Sequence, residues 1–522
     1  MSDETIFKYG VDHMTVATAL HLARGERRGT LTAEARERMA ASRRRVEELA
    51  AGEAAVYGVN TGFGPLCTSR ISPEDTRQLQ LNLLMSHSCG MGAPVAPLVS
   101  RLMLVLKAHA LCQGHSGVAV ATVERILWHL ENDVVPVVPS QGSVGASGDL
   151  APLSHLFLPL GGLGKVWDGE TQRPAGEALA ARGVAPIDLG PKEALGLING
   201  TQFIAAHATL AAARLHACLE TADIAGAMSL EAFAGTARPF GADLHEVRPH
   251  EGIRHVASHL AALLRGSQMC AAHAHCGRVQ DPYSLRCMPQ IHGASRQAWR
   301  HFRDVLEVEL NSVTDNPVIL STGEAVSGGH FHGQPLALPI DYATLAAAEL
   351  GNVSDRRVYL MLFGDGGKLP RLLLEETGLQ SGYMIPQYVS AALVTENKTL
   401  CFPASADSVP TSLGQEDHVS MGSIGGRKLN RVIDNLQRIL AVELVCAAQG
   451  MEFRRPLRST PALEAVHARL REAVPFSTKD HVLSDDLAAA ETLVRDGSLL
   501  AAARKAAPSD EGVLFAEEFA LR

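Results

Sequence analysis

A chain of 522 residues is long enough to bury a sizeable core, and 46% hydrophobic against 20% charged residues is the balance of a globular protein, not a disordered or fibrous one. A formal net charge of -9 without a dominant basic cluster argues against nucleic acid as a partner. No uncharged apolar run approaches a membrane span, residues 1–5 are not signal-like, and nine cysteines without a Cys-x-x-Cys pair suit reduced thiols, so a cytoplasmic enzyme with no membrane partner is expected.

The predicted elements are mostly helices. Thr32 serves as an N-cap for a helix over Ala33–Ala51 that Gly52 ends. Ser72-Pro73-Glu74-Asp75 combines a cap, a proline at the first helical position and acids in the first turn, which predicts a helix running toward Gly90. Val134 to Val138 reads as a short strand. Alanine-rich segments predict helices over Ala205 to Ala237, Gln297 to Leu310 and Asp341 to Leu362. Leu429, Ile433, Leu436, Leu440 and Leu444 recur at spacings of three and four, the stripe of one more helix. The expected fold class is mainly α. A smaller, irregular N-terminal domain over residues 1–205 precedes a long-helix bundle and C-terminal helical part over 206–522. With few aromatics, the alanine-rich helices can approach closely, which suits association with further copies.

One loop stands out: Gly142-Ser143-Val144-Gly145-Ala146-Ser147-Gly148-Asp149. A phosphate loop would end in Gly-Lys-Ser/Thr, and a carboxylate at that place would repel phosphate. A hydrolase elbow, Gly-x-Ser-x-Gly, fails at Asp149. Taken alone the segment is a turn. Yet side chains this small let the Gly148 nitrogen fold back onto the Ala146 carbonyl, and loss of water then closes an electrophilic five-membered ring. The run resembles the signature of the aromatic amino acid ammonia-lyases and aminomutases, in which Ala-Ser-Gly cyclises unaided to 4-methylideneimidazol-5-one. The resemblance implies such a group, the MIO ring, from Ala146, Ser147 and Gly148, with no external cofactor. It also implies a fumarase/aspartase-like fold and a homotetramer whose active sites are each built from more than one subunit.

Other segments carry the same resemblance between about Tyr57 and Gly450. In Val56-Tyr57-Gly58-Val59-Asn60-Thr61-Gly62-Phe63-Gly64, Tyr57 corresponds to the family's catalytic base. Asn199-Gly200-Thr201 matches an element whose Asn contacts the substrate amine. In Gln280-Asp281-Pro282-Tyr283-Ser284-Leu285-Arg286-Cys287, Arg286 corresponds to the residue pairing with the substrate carboxylate, a bidentate role suited to guanidinium. Gln280 and Tyr283 line that site, and Tyr283 is a second acid-base candidate. Phe331 matches an aromatic at the ring, while His330 departs from the pattern, where Asn is more usual. His330-Phe331-His332 and His273-Ala274-His275-Cys276 lack a full ligand set, so no metal is expected.

The substrate must be argued separately. Gln415-Glu416-Asp417-His418 resembles the family members acting on histidine, in which Glu416 would contact the imidazole and Gln415 would lie alongside. A carboxylate suits an imidazole that donates a hydrogen bond or carries charge, whereas a phenyl ring would leave it unpaired. Ser86-His87 agrees, since tyrosine- and phenylalanine-directed relatives typically show His-Leu and Phe-Leu there. The implied reaction is release of ammonia from histidine. A tyrosine or phenylalanine lyase, an aminomutase, and a non-catalytic helical oligomer remain the alternatives.

Overall fold

The computed structural model describes residues 6–62, 64, 71–72, 75–273, 277–507 and 519–521. Its frame is a set of long helices, Gln202–Ala232, Met288–Leu310, Gln334–Phe363 and Gly422–Glu452. Gln202–Ala232 is buried on nearly every side, as expected of a helix that is apolar all round. Gly422–Glu452 packs against both Gln202–Ala232 and Gln334–Phe363, and Met288–Leu310 joins them from the far side. The stripe of Leu429, Ile433, Leu436, Leu440 and Leu444 is fully buried in this bundle.

The Ala33–Ala51 helix forms with the expected bounds, Thr32 accepting from the Ala35 amide at 3.2 Å. Elsewhere the bounds shift. The helix expected from Ser72 is Thr76–His87, capped at Asp75, whose amide donates to Ser72 Oγ at 3.2 Å; Pro73 and Glu74 lie outside the described residues. The segment expected over Ala205 to Ala237 is Gln202–Ala232, and it stops where Ala234 turns to a φ of 57° and the Gly235 amide reaches back to Leu230 O at 2.8 Å. Gln297 to Leu310 starts earlier, at Met288, and Asp341 to Leu362 starts at Gln334. In both, proline stands in the first turn, where its missing N–H costs nothing.

Val134 to Val138 is not a strand. The segment is buried and makes one isolated bridge, Pro136 to Val166, flanked by Val137 N to Lys165 O at 2.9 Å and Trp167 N to Val135 O at 2.8 Å. Pro136 has no N–H to extend a ladder. The strand begins after it, at Pro139–Gln141, paired antiparallel with Met91–Pro94. Strands among the described residues form four two-stranded sheets only.

The bundle core holds charge as well as hydrocarbon. Arg357 donates to Glu443 through Nε at 2.5 Å and Nη2 at 2.9 Å, and Ser229 and Ser354 hydroxyls complete the carboxylate at 2.8 and 2.6 Å. Glu443→Ala strands a buried guanidinium and is expected to cost about 3 to 5 kcal/mol in denaturant unfolding. The double replacement Arg357→Met with Glu443→Leu is expected to recover most of that loss.

Candidate active site

The 142–149 loop is pinned from several sides, and its backbone leaves no room for larger residues. Gly145 and Gly148 have φ of +71° and +75°. A Cβ on Gly148 would lie 2.2 Å from Gly200 O, and one on Gly145 2.1 Å from Ser420 Oγ. Gly148 pairs in parallel with Gly200, and the Asp149 amide donates to Gly200 O at 2.8 Å. On the opposite side Ser420 Oγ donates to Gly145 O at 3.2 Å, Met421 N to Val144 O at 2.9 Å and Ser423 Oγ to Ser143 O at 2.7 Å. The loop thus lies against the start of Gln202–Ala232 and the start of Gly422–Glu452, two helix N-termini whose dipoles favour negative charge.

Asp149 closes the arrangement. Its Oδ2 accepts from the Phe203 and Ile204 amides at 3.1 and 2.9 Å, and its Oδ1 accepts from Ser143 Oγ at 2.7 Å. Burial outweighs these bonds and pushes the carboxyl up to about 7. Beside it, Asn199 Nδ2 donates to Ser147 O at 2.6 Å, while the buried Asn199 Oδ1 has no partner among the described residues.

Two cavities meet at Ala146 and Glu416. The larger, about 780 Å³, is lined by Tyr57, Ser147, Asn199, Phe331, Gln415 and Glu416 among others. The smaller, about 310 Å³, takes in Ser86, His87, Gly148, Thr411 and Glu416. Glu416 is held by Thr411, whose Oγ1 donates to Oε2 at 2.8 Å and whose amide donates to Glu416 O at 2.8 Å. His87 follows at the end of Thr76–His87, its Nδ1 3.0 Å from Ser86 Oγ. Burial lowers the His87 imidazole below its usual range, with Glu416 pulling the other way, so the two side chains feel one another. Tyr57 is half-buried, and its hydroxyl accepts from the Gly64 amide at 3.3 Å; Phe63 lies outside the described residues.

Gln280, Tyr283 and Arg286 are not brought to this place within one chain. Gln280 and Arg286 line a separate cavity of about 730 Å³, Arg286 Nε donates to Asp281 O at 2.9 Å, and the guanidinium stacks on the exposed Tyr283 ring at 4.5 Å. His330 is exposed, whereas its neighbour His332 lines the large cavity, stacked on His418 at 5.7 Å. Ala274, His275 and Cys276 lie outside the described residues.

Sequence reasoning missed several residues here. Asn316 lines the large cavity, accepting from Gly328 N at 2.7 Å and donating to Ser327 Oγ at 3.1 Å; before a proline it reads as a turn. Lys107 stands directly behind Asn199, donating to its backbone oxygen at 2.6 Å. Its signal was a lone lysine in the apolar run Leu102 to Ala110, broken otherwise only by His109.

A mainly helical chain with this loop at the start of its bundle helices is a carbon-nitrogen lyase in architecture, and the family model for aromatic amino acid lyases matches residues 14–472. The chain belongs to the aromatic amino acid lyase family and is an ammonia-lyase. A histidine ammonia-lyase of Sorangium cellulosum is 50% identical over 505 residues, covering 94% of this chain and 98% of the relative. The crystal structure of histidine ammonia-lyase from Trypanosoma cruzi superposes with a TM-score of 0.90 at 38% identity, covering 99% of this chain and 98% of that one. Tyrosine aminomutase from Streptomyces globisporus superposes with a TM-score of 0.91 at 33% identity, covering 96% and 99%.

The raised Asp149 carboxyl sets a pH dependence. It is neutral and unpenalised below its unfolded value near 4 and charged within the core above about 7, so the stability it contributes is lost as pH rises through that window. Asp149→Asn is expected to gain stability relative to the parent between pH 4 and pH 7.5, by up to a few kcal/mol. Thermal unfolding at several pH values reads this directly, and a pH-independent difference contradicts it.

Proposed function

We propose that the chain converts L-histidine to trans-urocanate and ammonia without oxidation, the entry step of histidine degradation in the cytoplasm. The observation that carries the substrate is Glu416, held by Thr411 at the junction of the two cavities, with His87 on the adjoining wall. A carboxylate at that depth pairs with the N–H of an imidazole and is left unpaired by a phenyl or phenol ring. The names of the similar lyases point the same way.

The cofactor in this reading is 4-methylideneimidazol-5-one formed from Ala146, Ser147 and Gly148. The residues present fit it: the left-handed Gly148 is packed too tightly for any side chain, and Asn199, whose Nδ2 reaches Ser147 O, keeps a buried Oδ1 with no partner among the described residues. When formed, the group supplies an electrophile that turns the substrate's amine into a better leaving group. The chain's residues do the rest. Tyr57, as the phenolate, takes the β-proton as the C–N bond breaks and the double bond forms; Asn199 Oδ1 accepts a hydrogen bond from the amine; Phe331 walls the cavity beside the loop. Glu416 and His87, with Gln415 alongside, hold the imidazole end.

Arg286 grips the carboxylate, and Gln280 and Tyr283 join it, from another subunit. Two observations support a homotetramer with shared sites. Those three residues lie away from the ring cavity of their own chain. In addition, Leu338, Tyr342 and Leu345 at one end of Gln334–Phe363 and Tyr359 and Phe363 at the other are exposed, as are Ile385, Tyr388 and Val389 on Met384–Leu400.

Histidine-dependent appearance of the near-ultraviolet band of urocanate tests the substrate. Ser147→Ala is expected to abolish it, and Glu416→Gln to lower kcat/KM by about 10- to 100-fold, the size of one charge-assisted hydrogen bond. Turnover of tyrosine or phenylalanine alone sinks the reading. For the shared site, chains carrying Ser147→Ala and chains carrying Arg286→Ala are each expected to be inactive, and activity is expected to return on co-expression. No recovery in a mixed assembly refutes the sharing.

A further inference from the structure

The Pro97–Cys112 helix buries a cation deep in its packed face. Residues 102 to 112 are all buried, and Lys107 is among them. Its ammonium donates to Asn199 O at 2.6 Å and lies 3.5 Å from Gln202 Oε1. Gln202 is itself oriented, since its Nε2 donates to Thr314 Oγ1 at 2.8 Å and leaves the oxygen for the lysine. No carboxylate stands within ion-pair distance of Lys107 among the described residues. The nearby buried lysine, Lys192, pairs with Asp315 at 2.7 Å. Burial pushes Lys107 down to about 7. As a filler of core space this is a costly choice, because a methionine of similar length would carry no desolvation penalty.

What the ammonium holds gives it a purpose. Asn199 lies between two helices, Glu193–Ile198 and Gln202–Ala232, in extended conformation. Its amide nitrogen is fixed to Leu195 O at 3.0 Å and its carbonyl oxygen to Lys107. With both ends of the residue fixed, its side chain is left to reach Ser147 O at 2.6 Å. We propose that Lys107 is a positioning residue of the lyase site: its ammonium fixes the Asn199 backbone so that the Asn199 amide stays on the Ser147 carbonyl oxygen. The inference rests on the reading of residues 146–148 as the source of the electrophile. In a ring closed from Gly148 N to the Ala146 carbonyl carbon, Ser147 Cβ becomes an alkene carbon conjugated with the Ser147 carbonyl. A donor held on that oxygen draws electron density from the carbon that must accept a nucleophile.

The test is a double-mutant cycle between Lys107→Met and Asn199→Ala in the full-length assembly, read by steady-state kinetics on histidine and by intact mass. Ring closure removes two water molecules, so mass reports ring formation independently of activity. Lys107→Met is expected to retain the two-water mass deficit, to melt at or above the parent temperature, and to lose about 10- to 100-fold in kcat with KM little changed. In the Asn199→Ala background the same replacement is expected to cost little more. Additive losses, a kcat within twofold of the parent, or a Lys107→Met chain without the mass deficit each overturn the proposal. If methionine prevents folding, Lys107→Leu, which likewise removes the donor to the Asn199 oxygen, carries the cycle with the same criteria. Failure of the underlying reading is distinguishable, because the parent protein itself would then lack the mass deficit or histidine turnover.

Discussion

The contact on which the site depends is the carboxylate of Asp149 against the first turn of Gln202–Ala232. One oxygen takes two helix amides that would otherwise lack partners, and the other takes the Ser143 hydroxyl. That single side chain therefore caps the central helix of the bundle and anchors the loop that precedes it. Remove the cap, and the Gly148–Gly200 pairing, the Asn199 contact and the wall shared by both cavities lose their common reference. The cost is a carboxyl whose ionisation burial resists, so that its charged form burdens the core as pH rises.

From this anchor the site divides its labour by distance. Asn199 and Ser143 bond to the loop itself, to Ser147 O and to the Asp149 carboxyl, whereas Glu416 and His87 stand on the cavity walls. The architecture is shared by this chain with a histidine ammonia-lyase at 38% identity and with a tyrosine aminomutase at 33%.

Legibility in the sequence followed the same division. Tyr57, Ala146-Ser147-Gly148, Asn199, Phe331 and Glu416 belong to short contiguous motifs, and the folded chain gathers all of them around one cavity or its border. The Gln280 to Arg286 motif was equally plain, yet its separation from that cavity depends on helix packing that no local pattern encodes. The helix starts at Met288 and Gln334 lie upstream of the alanine-rich runs, and neither has a Ser, Thr, Asp or Asn cap before its proline to mark it. Val134 to Val138 misled because burial alone favours valine, whether or not a ladder forms. Lys107 was visible as an oddity, and only distances could say what it touches.

The exposed apolar side chains along Gln334–Phe363 have a further consequence, for the life of the chain as it is made. A newly made chain exposes Leu345, Tyr359 and Phe363 to water on helices that already have their own buried core. Such a surface is adhesive toward any other hydrophobic strip, including those of unrelated nascent chains. Synthesis rate, temperature and chaperone supply therefore bear on the yield of folded chain through a race between burial of that surface and precipitation. A substitution far from the chemistry can lower activity in a cell simply by losing that race.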